Sequence, residues 1–126
     1  MKHVLIIEDE ATIVLLLRMR LEAAGFKPSW AMNGEDGLRR VLEEKPDLVL
    51  LDLRLPRLNG SDVCRRIKQN PATAHIPVIF LSASEKEELE KTCHATGADG
   101  FLTKPYEAAE LLGKIKLLLG DPLTLH

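Results

Sequence analysis

The chain has 126 residues, enough for one domain of ordinary size and too few for a second. Hydrophobic residues make up 45% and charged residues 29%, a balance that excludes a disordered or fibrous chain. With 17 Lys and Arg against 19 Asp and Glu, the net charge is −2, which argues against a domain held on nucleic-acid phosphates by its overall field.

Residues 3–7 are a short β-branched run that predicts a first strand, stopping abruptly at Glu8, Asp9 and Glu10. Residues 11–24 read as a helix with Ile13, Leu16, Leu17, Met19 and Leu21 wholly or partly inward, and Gly25 stops it. A weaker strand follows over 27–31. Asn33 is a good N-cap for a helix to about Lys45, ended by Pro46. Residues 47–52 are the second strong strand. After a loop over 53–59, the Asn59-Gly60 pair signals a turn before a helix to about Gln69. Residues 77–81 predict the next strand, and 85–96 a helix with few apolar anchors beyond Leu89 and Cys93. Ser84 and Glu87 have the spacing of a capping box at its start. Residues 100–103 make a fifth strand. The last helix, 106–119, has the cleanest period, with Ala108, Leu111, Leu112, Ile115, Leu118 and Leu119 on one face.

Strands apolar on both faces belong to a parallel sheet covered by helices on both sides. Right-handed crossovers then give the expected fold class: α/β, a doubly wound five-stranded parallel sheet with five helices, flavodoxin-like, in strand order 2-1-3-4-5. The expected organisation is one domain over 1–119 with a short fraying tail over 120–126. The longest aliphatic run, Ile13 to Leu17, is too short to span a bilayer, and no basic, then apolar leader opens the chain. Cys64 and Cys93 are expected as reduced thiols, consistent with a cytoplasmic location.

The chemistry lies where the apolar pattern breaks. In an open parallel sheet, ligands sit beyond the carboxyl ends of the strands, where strand order reverses. Glu8 and Asp9 end the first strand, Asp52 the third, Ser82 the fourth and Lys104 the fifth. The expected strand order brings Asp9 and Asp52 side by side. Three carboxylates in one cleft resist ionising together unless a cation intervenes, and an all-oxygen ligand set favours Mg²⁺. A carboxylate beside that cation can attack phosphorus, with a lysine and a hydroxyl binding the transferred oxygens. Phosphoryl transfer onto Asp52 is the reaction this set suits.

These residues resemble the receiver domain of bacterial two-component response regulators, of the chemotaxis-regulator kind, over essentially all of 1–119. The resemblance is carried by Glu8-Asp9, by Asp52 with Leu53, Arg54, Leu55, Pro56 and Gly60, by Ser82-Ala83, and by Lys104-Pro105. It implies that Asp52 accepts a phosphoryl group from a histidine kinase or phosphotransfer protein. It further implies that Asp9, Asp52 and the main-chain carbonyl of Arg54 bind Mg²⁺, with Glu8 acting through water. Ser82 and Lys104 would contact the phosphoryl oxygens, and a cis bond before Pro105 would aim Lys104 into the cleft. Ser82 and Phe101 occupy the switch positions, which repack the face made by the fourth helix, fifth strand and fifth helix. That face would meet a downstream protein or output domain. A weak phosphorylation-dependent homodimer is a further expectation, although Glu90 and Gly100 depart from the charge pattern of the usual pairing. No direct nucleic-acid contact and no membrane contact are expected. The domain is expected not to be an enzyme toward other substrates, but to catalyse only its own phosphorylation and dephosphorylation.

Three rival readings compete with this one. A flavodoxin-like nucleotide carrier needs a Ser/Thr/Gly-rich loop after the first strand, where Glu8, Asp9 and Glu10 stand instead. A phosphate-ester hydrolase usually carries a second aspartate just beyond its nucleophile, where Leu53 and Arg54 stand. A receiver working without phosphorylation need not keep the complete acid, hydroxyl and lysine set.

Overall fold

The computed structural model describes residues 1–120. Strands β1 (His3–Ile7), β2 (Lys27–Ala31), β3 (Leu48–Asp52), β4 (Val78–Ser82) and β5 (Gly100–Thr103) alternate with helices α1 (Ala11–Ala23), α2 (Gly34–Glu44), α3 (Gly60–Gln69), α4 (Lys86–Thr96) and α5 (Ala108–Leu119). The strands form one parallel sheet in the order β2-β1-β3-β4-β5, as expected. Every residue of β3 and β4 is buried, which is what a strand covered on both faces by helices requires.

Alternation along the strands splits the core into two layers. Val4, Ile6, Leu48, Leu50, Ile79 and Leu81 face Val14, Leu17 and Leu21 of α1 and Leu111 and Ile115 of α5. Leu5, Ile7, Val49, Leu51, Val78 and Phe80 face Val41 of α2 and Val63, Cys64 and Ile67 of α3. In register, Ile7 lies opposite both Ala31 and Leu51, and Asp52 lies opposite Leu81, so the carboxyl ends of the central strands finish level.

Local chemistry sets the element ends. Asn33 and Asn59 cap α2 and α3, their side chains accepting from the amides of Asp36 and Asp62 at 2.8 and 3.0 Å. Lys45, with φ of 45°, closes α2 ahead of Pro46, and Gly97, with φ of 83°, closes α4.

Two expectations are corrected. Leu16 and Met19 point outward, 46% and 61% exposed, while Val14 joins Leu17 and Leu21 in the core. Helix α1 is apolar nearly all round, so its period cannot choose a face and the sheet chooses instead. Ser84 and Glu87 form no capping box, because α4 starts at Lys86 after Glu85 and the Ser84 side chain turns to Ser82. The bond between Lys104 and Pro105 is cis, as the resemblance implied. Of the expected tail, only Gly120 falls within the described residues, and 121–126 lie outside them.

Candidate functional site

Four strands deliver their last residues to one edge. Glu8 and Asp9 follow β1, and the Glu8 amide stays tied to the β2 end through the carbonyl of Ala31 at 3.0 Å. Asp52 is the last residue of β3 and Ser82 the last of β4. Lys104 follows β5, its amide donating to the carbonyl of Ser82 at 2.7 Å. Asp9, Asp52, Arg54, Ser82 and Lys104 line a single cleft of about 600 Å³, with Glu8 buried at 1% exposure.

The cleft floor is wired. The Lys104 ammonium donates to Glu8 Oε1 at 3.2 Å and lies 3.5 Å from Asp52 Oδ2. Asp52 Oδ1 accepts the Arg54 amide at 3.1 Å, and Glu8 Oε2 accepts the Glu10 amide at 3.3 Å. Gly60 makes this packing feasible. A Cβ there would meet the Asp52 carbonyl oxygen at 2.4 Å and Leu53 Cα at 2.8 Å, so only glycine lets α3 start against the β3 end.

Charge is unbalanced. Among the lining residues, Asp9, Glu10, Asp52, Glu85 and Glu88 face only Arg54 and Lys104. Burial pushes the Glu8 carboxyl up to about 7, reinforced by its hydrogen bond with Asp52 and the charge of Asp52, and Lys104 only partly offsets this. Lys104 itself is raised: burial alone would lower it, but the charges of Asp52 and Glu8 prevail.

Glu8, Asp9 and Asp52 each offer a carboxylate oxygen, all within 4.8 Å of one another. Three hard anionic donors with no nitrogen or sulfur among them fit Mg²⁺ in their chemistry. A bound cation would also relieve the mutual repulsion that raises Glu8.

Not every expected residue joins the cleft chemistry. Phe101 is half-buried on β5 and lines a separate groove with Glu90, Cys93, His94 and Gly100. There its carbonyl accepts from Lys114 at 3.3 Å, with the ammonium 5.7 Å from the ring centre. Ser82 reaches the cleft, but its hydroxyl bonds to Ser84 rather than to Asp52 or Lys104. Ser84 also lines the cleft, and so do Glu85 and Glu88, which the sequence reading did not anticipate. Two hydroxyls two residues apart in a loop are prone to local side-chain bonding, which is what Ser82 and Ser84 form. Glu10 is the N-cap residue of α1 and lines the cleft as well.

Fold and site together define a doubly wound α/β domain with an acidic, cation-suited cleft at the carboxyl edge of its sheet. A family model of the response regulator receiver domain matches residues 4–116, and the chain belongs to that family. It is 39% identical over 114 residues to the phosphate regulon transcriptional regulatory protein PhoB of Rhizobium meliloti, covering 90% of this chain and 50% of that protein. The receiver domain of a signal transduction histidine kinase from Syntrophus aciditrophicus superposes with a TM-score of 0.89 at 31% identity, covering 97% of this chain and 92% of that one. The receiver domain of a sensor histidine kinase from Pseudomonas aeruginosa has a TM-score of 0.87 at 25% identity, with 95% and 98% covered, and holds a magnesium ion in its active-site cleft. The chain spans about half the length of the curated relatives it matches. Receiver domains act in two-component signalling, where aspartate phosphorylation and Mg²⁺ binding are general features. No helix among the described residues is long and apolar enough to cross a membrane.

Proposed function

We propose that Asp52 accepts a phosphoryl group from a histidine kinase or phosphotransfer protein in a Mg²⁺-dependent reaction. We further propose that the outcome is read on the α4–β5–α5 face by a downstream protein or output domain. One observation carries the reading: three carboxylates, a lysine ammonium and a serine hydroxyl converge at one sheet edge.

In this reading a carboxylate oxygen of Asp52 attacks phosphorus, and an O–P bond forms as the P–N bond of the donor phosphohistidine breaks. The bonding electron pair leaves with the imidazole. Asp9, Asp52 and the Arg54 carbonyl would hold the cation, with Glu8 acting through water. Its charge lets an anionic nucleophile meet an anionic donor. Lys104, already beside Asp52, is positioned to follow the new charge onto a phosphoryl oxygen. The Ser82 hydroxyl donates to another.

The modification adds about −1.5 to −2 charges at Asp52. Ser82 turns inward to meet it, and Phe101 follows into the vacated space, repacking the α4–β5–α5 face. The domain, residues 1–119, catalyses only its own phosphorylation and dephosphorylation.

The test is intact mass after incubation with Mg²⁺ and a small acyl or amido phosphate donor, beside an Asp52→Asn variant. The expected result is a gain of one phosphoryl group, abolished by EDTA and by the substitution. An equal gain in Asp52→Asn would remove Asp52 from the role.

A further inference from the structure

Ser82 supplies the hydroxyl that the proposed phosphoryl site needs, yet both of its hydrogen bonds run the other way. Its Oγ donates to Ser84 Oγ at 2.9 Å and accepts the Ser84 amide at 3.1 Å. We propose that Ser84 is a positioning residue: its hydroxyl latches Ser82 away from Asp52 and sets how readily the phosphorylated conformation is reached. This rests on the reading of Asp52 as phosphoacceptor.

The argument is one of valence. A serine hydroxyl carries a single proton, and a phosphoryl oxygen facing it can only accept. Ser82 therefore cannot donate to Ser84 and to the phosphoryl group at once. Ser82 is 3% exposed, so in the resting protein Ser84 rather than bulk water is the partner of its hydroxyl. The bond to Ser84 Oγ is thus a term present only in the resting arrangement, and a ligand that recruits Ser82 must overcome it.

The latch is also linked to the mobile side of the switch. Ser84 directly precedes Glu85, the N-cap residue of α4, and Glu85 makes no side-chain cap bond to hold that helix start. Releasing Ser82 therefore loosens the segment that leads into a helix whose buried residues are Leu89 and Thr96 alone. Removal of the Ser84 hydroxyl deletes the Oγ–Oγ bond alone, because the amide of residue 84 still donates to Ser82.

The experiment is a ¹⁹F NMR titration of the Mg²⁺-loaded protein with beryllofluoride, a stable phosphoryl mimic. Loss of one part-buried hydrogen bond from the resting state predicts that Ser84→Ala binds the mimic about two- to tenfold more tightly than wild type. Ser84→Thr, which keeps a hydroxyl, returns the affinity toward wild type. In a Ser82→Ala background, Ser84→Ala has no effect, since the bond is already gone. A Ser84→Ala affinity equal to wild type, or the same gain with Ser82 already removed, overturns the latch while leaving Asp52 in place. Mimic that binds neither wild type nor any variant overturns the phosphoacceptor reading, and the latch falls with it.

Discussion

Glu8 ionises against two penalties, burial at 1% exposure and the neighbouring charge of Asp52, which together push its carboxyl to about 7. A cation in the cleft competes with that proton. Mg²⁺ affinity is therefore expected to rise with pH up to about 7 and to level off above it, and Glu8→Gln flattens the rise. Titrations of Mg²⁺ at several pH values on both proteins check this, and parallel pH profiles would remove Glu8 as the cause. The metal-free protein shows the opposite trend. With the folded value above the ordinary 4.5, Glu8 contributes stability that is complete below about pH 4.5 and is lost as the pH climbs through 7. Glu8 and Asp9 are adjacent in sequence and look equivalent there, but one is buried beside Lys104 and the other is exposed. Their difference depends on the distance to Lys104, 96 residues away, which no local pattern encodes.

Helix α4 differs from α3 in how little holds it. It buries Leu89 and Thr96, whereas α3 buries Gly60, Val63, Cys64 and Ile67. A helix with few buried apolar side chains opens locally at lower free energy than the whole domain. Native-state hydrogen exchange is expected to show the amides of α4 exchanging before those of α3. Equal protection of the two would mean that α4 is anchored by more than its packing and would weaken it as the moving part of the switch. The poverty of anchors was legible in the sequence because charged residues occupy most of 85–91. The start of α4 was not, since the Ser84 side chain had two partners within reach and chose Ser82 over a cap. Helix α1 gives the complementary case: an apolar surface nearly all round left its inward face undetermined until the sheet selected Val14, Leu17 and Leu21.

The whole molecule is a sheet packed between two apolar layers, and the central strands belong to both. Phe80 is fully buried in the layer shared with α2 and α3, one strand from Asp52. Truncating such a side chain leaves a cavity that rigid strands on either side cannot close, so Phe80→Ala is expected to lose about 3–5 kcal/mol. That is a large share of the total for a domain this size, and denaturant unfolding at fixed Mg²⁺ measures it. A loss below about 1 kcal/mol would mean that the layer relaxes far more than its packing suggests.

The sequence by itself determined the number and order of the elements, the parallel doubly wound sheet and the strand ends that carry polar groups. These follow from short-range physics: a run of Val, Ile and Leu with no polar break must be covered on both faces, and the break marks its open edge. It also placed Glu8, Asp9 and Asp52 at one edge, because strand order puts the ends of β1 and β3 together once the crossovers are right-handed. Only the tertiary structure decided which side of α1 is buried, that Glu8 lies under the cleft with Lys104 while Asp9 stays exposed, and that Ser82 bonds to Ser84. Each of those outcomes is a choice among partners that are locally equivalent, and such choices are settled by distances between elements rather than by the pattern within one.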